Sequence, residues 1–140
     1  MKRRIARPAV IAAMLFLAAS AGAQTDELTR VFAAPADRVW LVTRSTLKSL
    51  GWDVDKEDRS VGWMLTDSRR LDGDDYGVYA KGLKHRLRIQ IKDQGGKTAV
   101  TVERRVWKAE RILWMDKEED LNMTDHTMEK QILDEIGRSL

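Results

Sequence analysis

The chain has 140 residues, with 25 Lys and Arg, 22 Asp and Glu, and no cysteine. Without cysteine it has no disulfide, no thiolate nucleophile and no cysteine-based zinc site, so a packed core must hold it together unaided. Four of the positive charges, Lys2, Arg3, Arg4 and Arg7, lie at the very start. Setting them aside leaves 21 bases against 22 acids, a balance that gives no electrostatic case for nucleic-acid binding.

Those four bases precede the apolar stretch Val10 to Ala19, which ends in Ala21-Gly22-Ala23. A basic head, a short apolar core and a small-x-small ending are the marks of a secretory signal peptide, removed before Gln24. The apolar core is about half the length a membrane-spanning helix needs, which argues against an uncleaved anchor. Residues 24–140 are then one exported domain, periplasmic or secreted, without a transmembrane segment and without a cysteine that could carry a lipid. A domain of this size buries roughly 65% of its unfolded surface, enough for one stable core.

In chain order, Leu28 to Ala34 has the alternation of a short strand, and Pro35 suits the first turn of a helix because no backbone N–H is needed there. Val39, Val42, Thr43, Thr46, Leu47 and Leu50 form one apolar stripe over a helix Arg38 to Leu50, with Gly51 as its stop. Trp52 to Asp58 and Ser60 to Ser68 read as a hairpin turning near Asp58 to Ser60, with Trp52, Val54, Val61, Trp63 and Leu65 on the core side. A polar loop, Arg69 to Gly82, follows.

The clearest strand is Leu83 to Asp93, where Leu83, His85, Leu87, Ile89 and Ile91 point one way and Lys84, Arg86, Arg88, Gln90 and Lys92 the other. Gln94-Gly95-Gly96 turns into a partner strand, Lys97 to Lys108, with a bulge expected near Arg104 and Arg105 where the alternation slips. Thr124 or Asp125 caps a closing helix striped by Met128, Ile132, Leu133 and Ile136. The order β-α-β4-α predicts an α+β domain, an antiparallel meander with two helices on one face and the other face open.

The stretch Ala34 to Asp67, followed by Arg70 to Ala80, Leu87 to Asp93, Thr98 to Glu103 and a terminal helix, resembles the helix-grip domain of the BamC family of outer-membrane β-barrel assembly lipoproteins. The likeness lies in a Val-Trp early in the first helix, a glycine after it, an acidic turn before Gly62, Thr66-Asp67 after the second hairpin strand, and the loop Leu71-Asp72-Gly73-Asp74-Asp75-Tyr76. It implies a helix-grip-like fold and an envelope location. The family pattern also has a lipidated cysteine, a long N-terminal segment and two domains, which this chain lacks.

No residues form a catalytic signature: there is no Ser beside an identifiable His and acid partner, so the sequence points to a non-enzymatic protein without a cofactor. Asp72, Asp74 and Asp75 are the stuff of a solvated turn before they are a calcium site, and His85 and His126 bring no further metal ligands. The function implied is a protein-interaction module contributing to outer-membrane or envelope assembly, with an envelope protein as partner. Trp114, Met115, Tyr76, Tyr79 and the basic row Lys84, Arg86, Arg88 and Lys92 are its contact residues, and the open sheet face could also meet a second copy.

The alternative is a carrier holding a lipid or other apolar ligand between the first helix and the sheet, lined by some of the five tryptophans. Trp52 and Trp63 are first of all core filling. Ile112 to Met115 is expected to tuck beneath the closing helix; if Trp114 is exposed, it and Met115 would be the partner anchor.

Overall fold

A computed structural model describes residues 28–75 and 79–140; the expected signal peptide and Tyr76 lie outside the described residues. The elements are β1 (Thr29–Phe32), α1 (Ala36–Ser49), β2 (Val54–Asp58), β3 (Trp63–Thr66), β4 (Arg69–Asp75), β5 (Tyr79–Asp93), β6 (Thr98–Ile112), β7 (Met115–Leu121) and α2 (Thr127–Ser139). The α+β class is as expected, with every strand pairing antiparallel in one sheet ordered β1-β6-β5-β3-β2. Two strands, β4 beside β5 and β7 beside β6, come on top of the expected set.

The two central strands explain the shape. β5 and β6 have 15 residues each, about 50 Å of extended chain at roughly 3.3 Å per residue and far more than one small core can cover. Their Leu87–Asp93 and Thr98–Arg104 halves lie against the helices and carry β1, β3 and β2. Their other halves run on, flanked by β4 and β7, as a four-stranded arm.

In the body, α1 and α2 pack side by side on one sheet face over Val39, Leu47, Met64, Leu87, Ile89, Val100, Val102, Ile132, Leu133 and Ile136, all fully buried. The α1 stripe is as its spacing predicts, and the carbonyl of Pro35 opens the helix by accepting from Arg38 and Val39 N–H. At the other end Trp52 N–H donates to Leu47 O at 2.8 Å and Gly51 N–H to Lys48 O at 2.9 Å, with Gly51 at φ +87°. That double bond closes the last carbonyls and needs a left-handed residue, for which glycine costs least.

Three local expectations are corrected. Met64 and Thr66, rather than Val61, Trp63 and Leu65, face the core: Met64 pairs with inward-facing Ile89, and Thr66 Oγ1 accepts the buried N–H of Leu87 at 2.9 Å. Trp63 and Leu65 therefore lie on the open face with Arg88, and Val61 is exposed. Second, β6 has no bulge, since its register with β5 runs unbroken from Thr98 to Ile112. What looked like a slip is Arg104 held on the core side by Glu129 of α2, with Arg104 Nε 3.1 Å from the carboxylate. Third, Arg69 to Asp75, expected as part of a loop, is a strand paired with Ala80 to His85. At α2, Asp125 accepts from Thr127 N–H and Oγ1, so the helix starts at Thr127, just past the two expected caps.

His85 is the one buried histidine, edge-on to Trp52 with ring centroids 4.9 Å apart and its Nδ1 unpartnered. Burial, and then the charges of Arg104 and Arg69, lower its pKa below the ordinary 6.5. The unfolded chain thus takes up a proton near pH 6.5 that the folded chain refuses, so stability is full above that pH and falls as the pH drops through it toward the depressed folded value. The urea midpoint is expected to decrease from about pH 7.5 to about pH 5.5 and this slope to shrink in His85→Phe, where no group titrates. An unchanged slope in the variant would show that His85 is not its source.

Candidate interaction surface

The tip of the arm is the end of the β6–β7 hairpin. Ile112 pairs with Met115, so Leu113 and Trp114 alone make the turn. Two-residue hairpin turns of this kind need positive φ at the first central residue, a place that usually goes to glycine. Here Leu113 occupies it at φ +56°, the single positive-φ residue other than glycine among the described residues. A branched side chain in that conformation costs roughly 1–2 kcal/mol.

The result is an apolar point on a polar stalk. Trp114 is 83% exposed, Leu113 55%, Met115 53% and Ile112 45%. The expectation that this run is buried beneath the closing helix is overturned, because the hairpin carries it beyond the reach of both helices. Tyr79 pairs with Ile112 and so stands in one row with Ile112 and Met115, itself partly exposed. The structure thus brings together Trp114, Met115 and Tyr79. It adds Ile112 and Leu113, which sequence reasoning did not single out although the run of four apolar residues between charged segments carried the signal.

Behind the tip, β7 continues as Asp116-Lys117-Glu118-Glu119-Asp120, an almost wholly exposed edge strand. Arg105 on β6 holds two of these acids, Asp120 at 2.7 Å and Glu118 at 3.4 Å. Its hydrogen bond to Asp120 is the main reason that its pKa is raised further. An edge with this density of charge resists pairing with stray strands.

The basic row is a separate surface. Lys84, Arg86, Arg88 and Lys92 lie along the face of β5 opposite the helices, as alternation predicts. Arg88 is nine residues along the strand from Tyr79, about 30 Å at roughly 3.3 Å per residue, so row and tip are not one site. At the middle of the row lies a hollow of about 580 Å³ lined by Trp63, Leu65, Arg86, Arg88, Glu103 and Arg105. Beside it Trp107 is buried under cations, with the Arg105 guanidinium 4.5 Å and the Arg86 guanidinium 5.8 Å from its ring. Trp63, Leu65 and Arg105 could not be assigned to this hollow from sequence, because the side on which Trp63 lies depends on its register against β5.

The other chemistry weighed in the sequence has structural partners. His126 Nδ1 donates to Glu129 at 2.6 Å, and the Asp72 carboxylate accepts from Gly73 N–H at 2.7 Å. The Asp58 carboxylate caps the β2–β3 turn, and the hydroxyl of Ser60 is the first of the hydrogen bonds that lower its pKa. Among the described residues no group of three or more His, Asp or Glu could hold a metal ion, and no helix is long and apolar enough to cross a membrane. Set against models of known protein families and against curated proteins, the chain matches none.

Proposed function

We propose that this chain is a non-enzymatic, periplasmic protein-interaction module that contributes to outer-membrane or envelope assembly, and that the hairpin tip is its contact point. The observation that carries the reading is Trp114, 83% exposed at the end of an arm and flanked by Ile112, Leu113 and Met115. Exposed apolar clusters of this kind mark binding surfaces, and Trp is among the residues that most often dominate an interface. The strained Leu113 adds to this, since a fold indifferent to its turn would place glycine there. The envelope location draws its support from the signal-peptide pattern of residues 1–23 and from the resemblance of the body to the BamC helix-grip domain.

A carrier would need room between α1 and the sheet. That space is filled by Val39, Leu47, Leu87, Ile89 and Ile132, each with no exposed surface, which favours the interaction module.

Crosslinking in intact cell envelopes tests the proposal. The wild-type protein is expected to capture a defined envelope protein, and Trp114→Asp to lose that capture while melting within about 0.5 kcal/mol of wild type, as exposed substitutions do. A folded variant that captured the same set would move the contact away from the tip.

A further inference from the structure

We propose that the hairpin tip enters the headgroup layer of a zwitterionic lipid bilayer, so that the envelope partner is met at the membrane surface. This rests on the tip as the contact point proposed above and deepens it by naming the surface in which that contact is made.

The shape of the tip points to a bilayer. A two-residue turn carries Leu113 and Trp114 at its extremity, and Tyr79, Ile112 and Met115 form one row just behind them. Side chains on so narrow a point cover too little of the roughly 800 Å² that each side of a stable protein interface buries, and a protein would have to offer them a pocket of matching shape. A headgroup layer closes around an apolar point of any shape. It is also where Trp and Tyr settle, each with an apolar ring and one polar atom.

The register sets how far the tip can enter. The row Tyr79, Ile112 and Met115 lies on the helix side of the arm, the side of Leu83 and His85. On that side the next charges are Lys81, Glu110 and Lys117, two residues back and about 7 Å from the row. On the open side Arg111 and Asp116 come only one residue back, about 3 Å. The arm therefore enters tilted, helix side down, to an apolar depth comparable with the roughly 5–10 Å at which amphipathic segments lie in an interface.

The charged collar behind the tip decides the kind of lipid. By register it holds Arg111, Lys81 and Lys117 against Glu110, Asp116 and, on β4, Asp74 and Asp75. Three cations against four acids give no attraction to an anionic surface. Along one rung the order is Asp74, Lys81, Glu110, Lys117, so the signs alternate. A zwitterionic headgroup answers both signs, its phosphate to the cations and its ammonium to the acids.

Vesicles of phosphatidylethanolamine and phosphatidylcholine provide the test. At about 1 mM lipid, where an anchor as strong as one myristoyl chain (about 10⁴ M⁻¹) is mostly bound, the protein is expected to co-sediment with them. Trp114 is the single exposed tryptophan, so it dominates the change in emission on binding, which is expected to move to the blue. Trp114→Asp is expected to stay folded by circular dichroism and to bind the vesicles about tenfold more weakly or worse. Replacing about a fifth of the lipid by phosphatidylglycerol is expected to leave wild-type binding no stronger. No co-sedimentation, binding that survives Trp114→Asp, or binding that rises with the anionic lipid would overturn the inference. A photo-crosslinking residue at position 114 in intact envelopes separates the two proposals. Capture of a defined protein without vesicle binding would sink the insertion and leave the interaction module standing. Vesicle binding without capture would do the reverse, and failure of both would sink both.

Discussion

Replacing Glu129 by Ala is expected to destabilise the protein by about 3–5 kcal/mol, the range seen when one member of a buried ion pair is removed. Glu129 lies on the inner face of α2 with its side chain 1% exposed, and Arg104 reaches it from β6 with its own side chain 10% exposed. One carboxylate oxygen faces Arg104 Nε at 3.1 Å without hydrogen-bond geometry, and the other accepts from His126 Nδ1 at 2.6 Å. Without the carboxylate, the Arg104 guanidinium keeps its desolvation cost and loses the opposite charge that offsets it. That loss, rather than the strength of the pair itself, is what the number reflects. The double variant Arg104→Met with Glu129→Leu is therefore expected to recover most or all of the stability, since apolar residues of similar volume often replace such a pair at no cost. Urea unfolding of wild type, single and double variants checks this. A Glu129→Ala variant within about 1 kcal/mol of wild type would mean that Arg104 escapes to solvent, as a long side chain can.

Gly62→Ala is expected to cost about 3 kcal/mol or more, and Gly51→Ala only about 1–2 kcal/mol, although both glycines have almost the same left-handed backbone. Gly51 lies at φ +87° and Gly62 at φ +88°, so the conformational strain of an alanine is shared. Their surroundings differ. A Cβ on Gly51 would meet only the tip of the Arg69 side chain at 3.3 Å, which can move aside. A Cβ on Gly62 would lie 2.1 Å from the carbonyl oxygen of Ile91, which is backbone in the central strand of the sheet. Gly62 is also fixed from both sides, donating to Asp58 O at 2.8 Å and accepting from Ile91 N–H at 2.6 Å. Alanine can be accommodated there only by parting the β2–β3 turn from β5, which puts the Met64 to Ile89 pairing at risk. Comparing the urea midpoints of the two variants isolates the steric part, and equal losses would show that the turn yields freely.

How much of this was legible in the sequence follows from where a chain has one buried face. The alternation of β5, the stripe and glycine stop of α1, and the Ile132, Leu133 and Ile136 stripe of α2 could all be read directly, because each of these segments packs one side against the common core and leaves the other to water. The α+β class and the position of the basic row on the open face follow from the same patterning. Along β4 and β7 no helix covers the sheet, so Arg69–Asp75 and Met115–Leu121 carry no apolar alternation and look like loops. They are strands because β5 and β6 run past the core and offer them backbone partners.

The contact residues divide in the same way. Trp114 and Met115 stood out as large apolar residues beside an acidic run, but whether they were core or surface depended on the β6–β7 hairpin, whose turn is made by Leu113 and Trp114 without any glycine to announce it. The side on which Trp63 lies was decided by the pairing of Met64 with Ile89, and the inward direction of Arg104 by a glutamate 25 positions later in the chain. Local patterning thus determined which segments form a core and, for α1, α2 and β5, which face turns inward. Tertiary structure alone decided where uncovered strands pair, which charge is drawn into the interior, and that four apolar residues stand exposed at the end of an arm, because each of these depends on a partner distant in sequence.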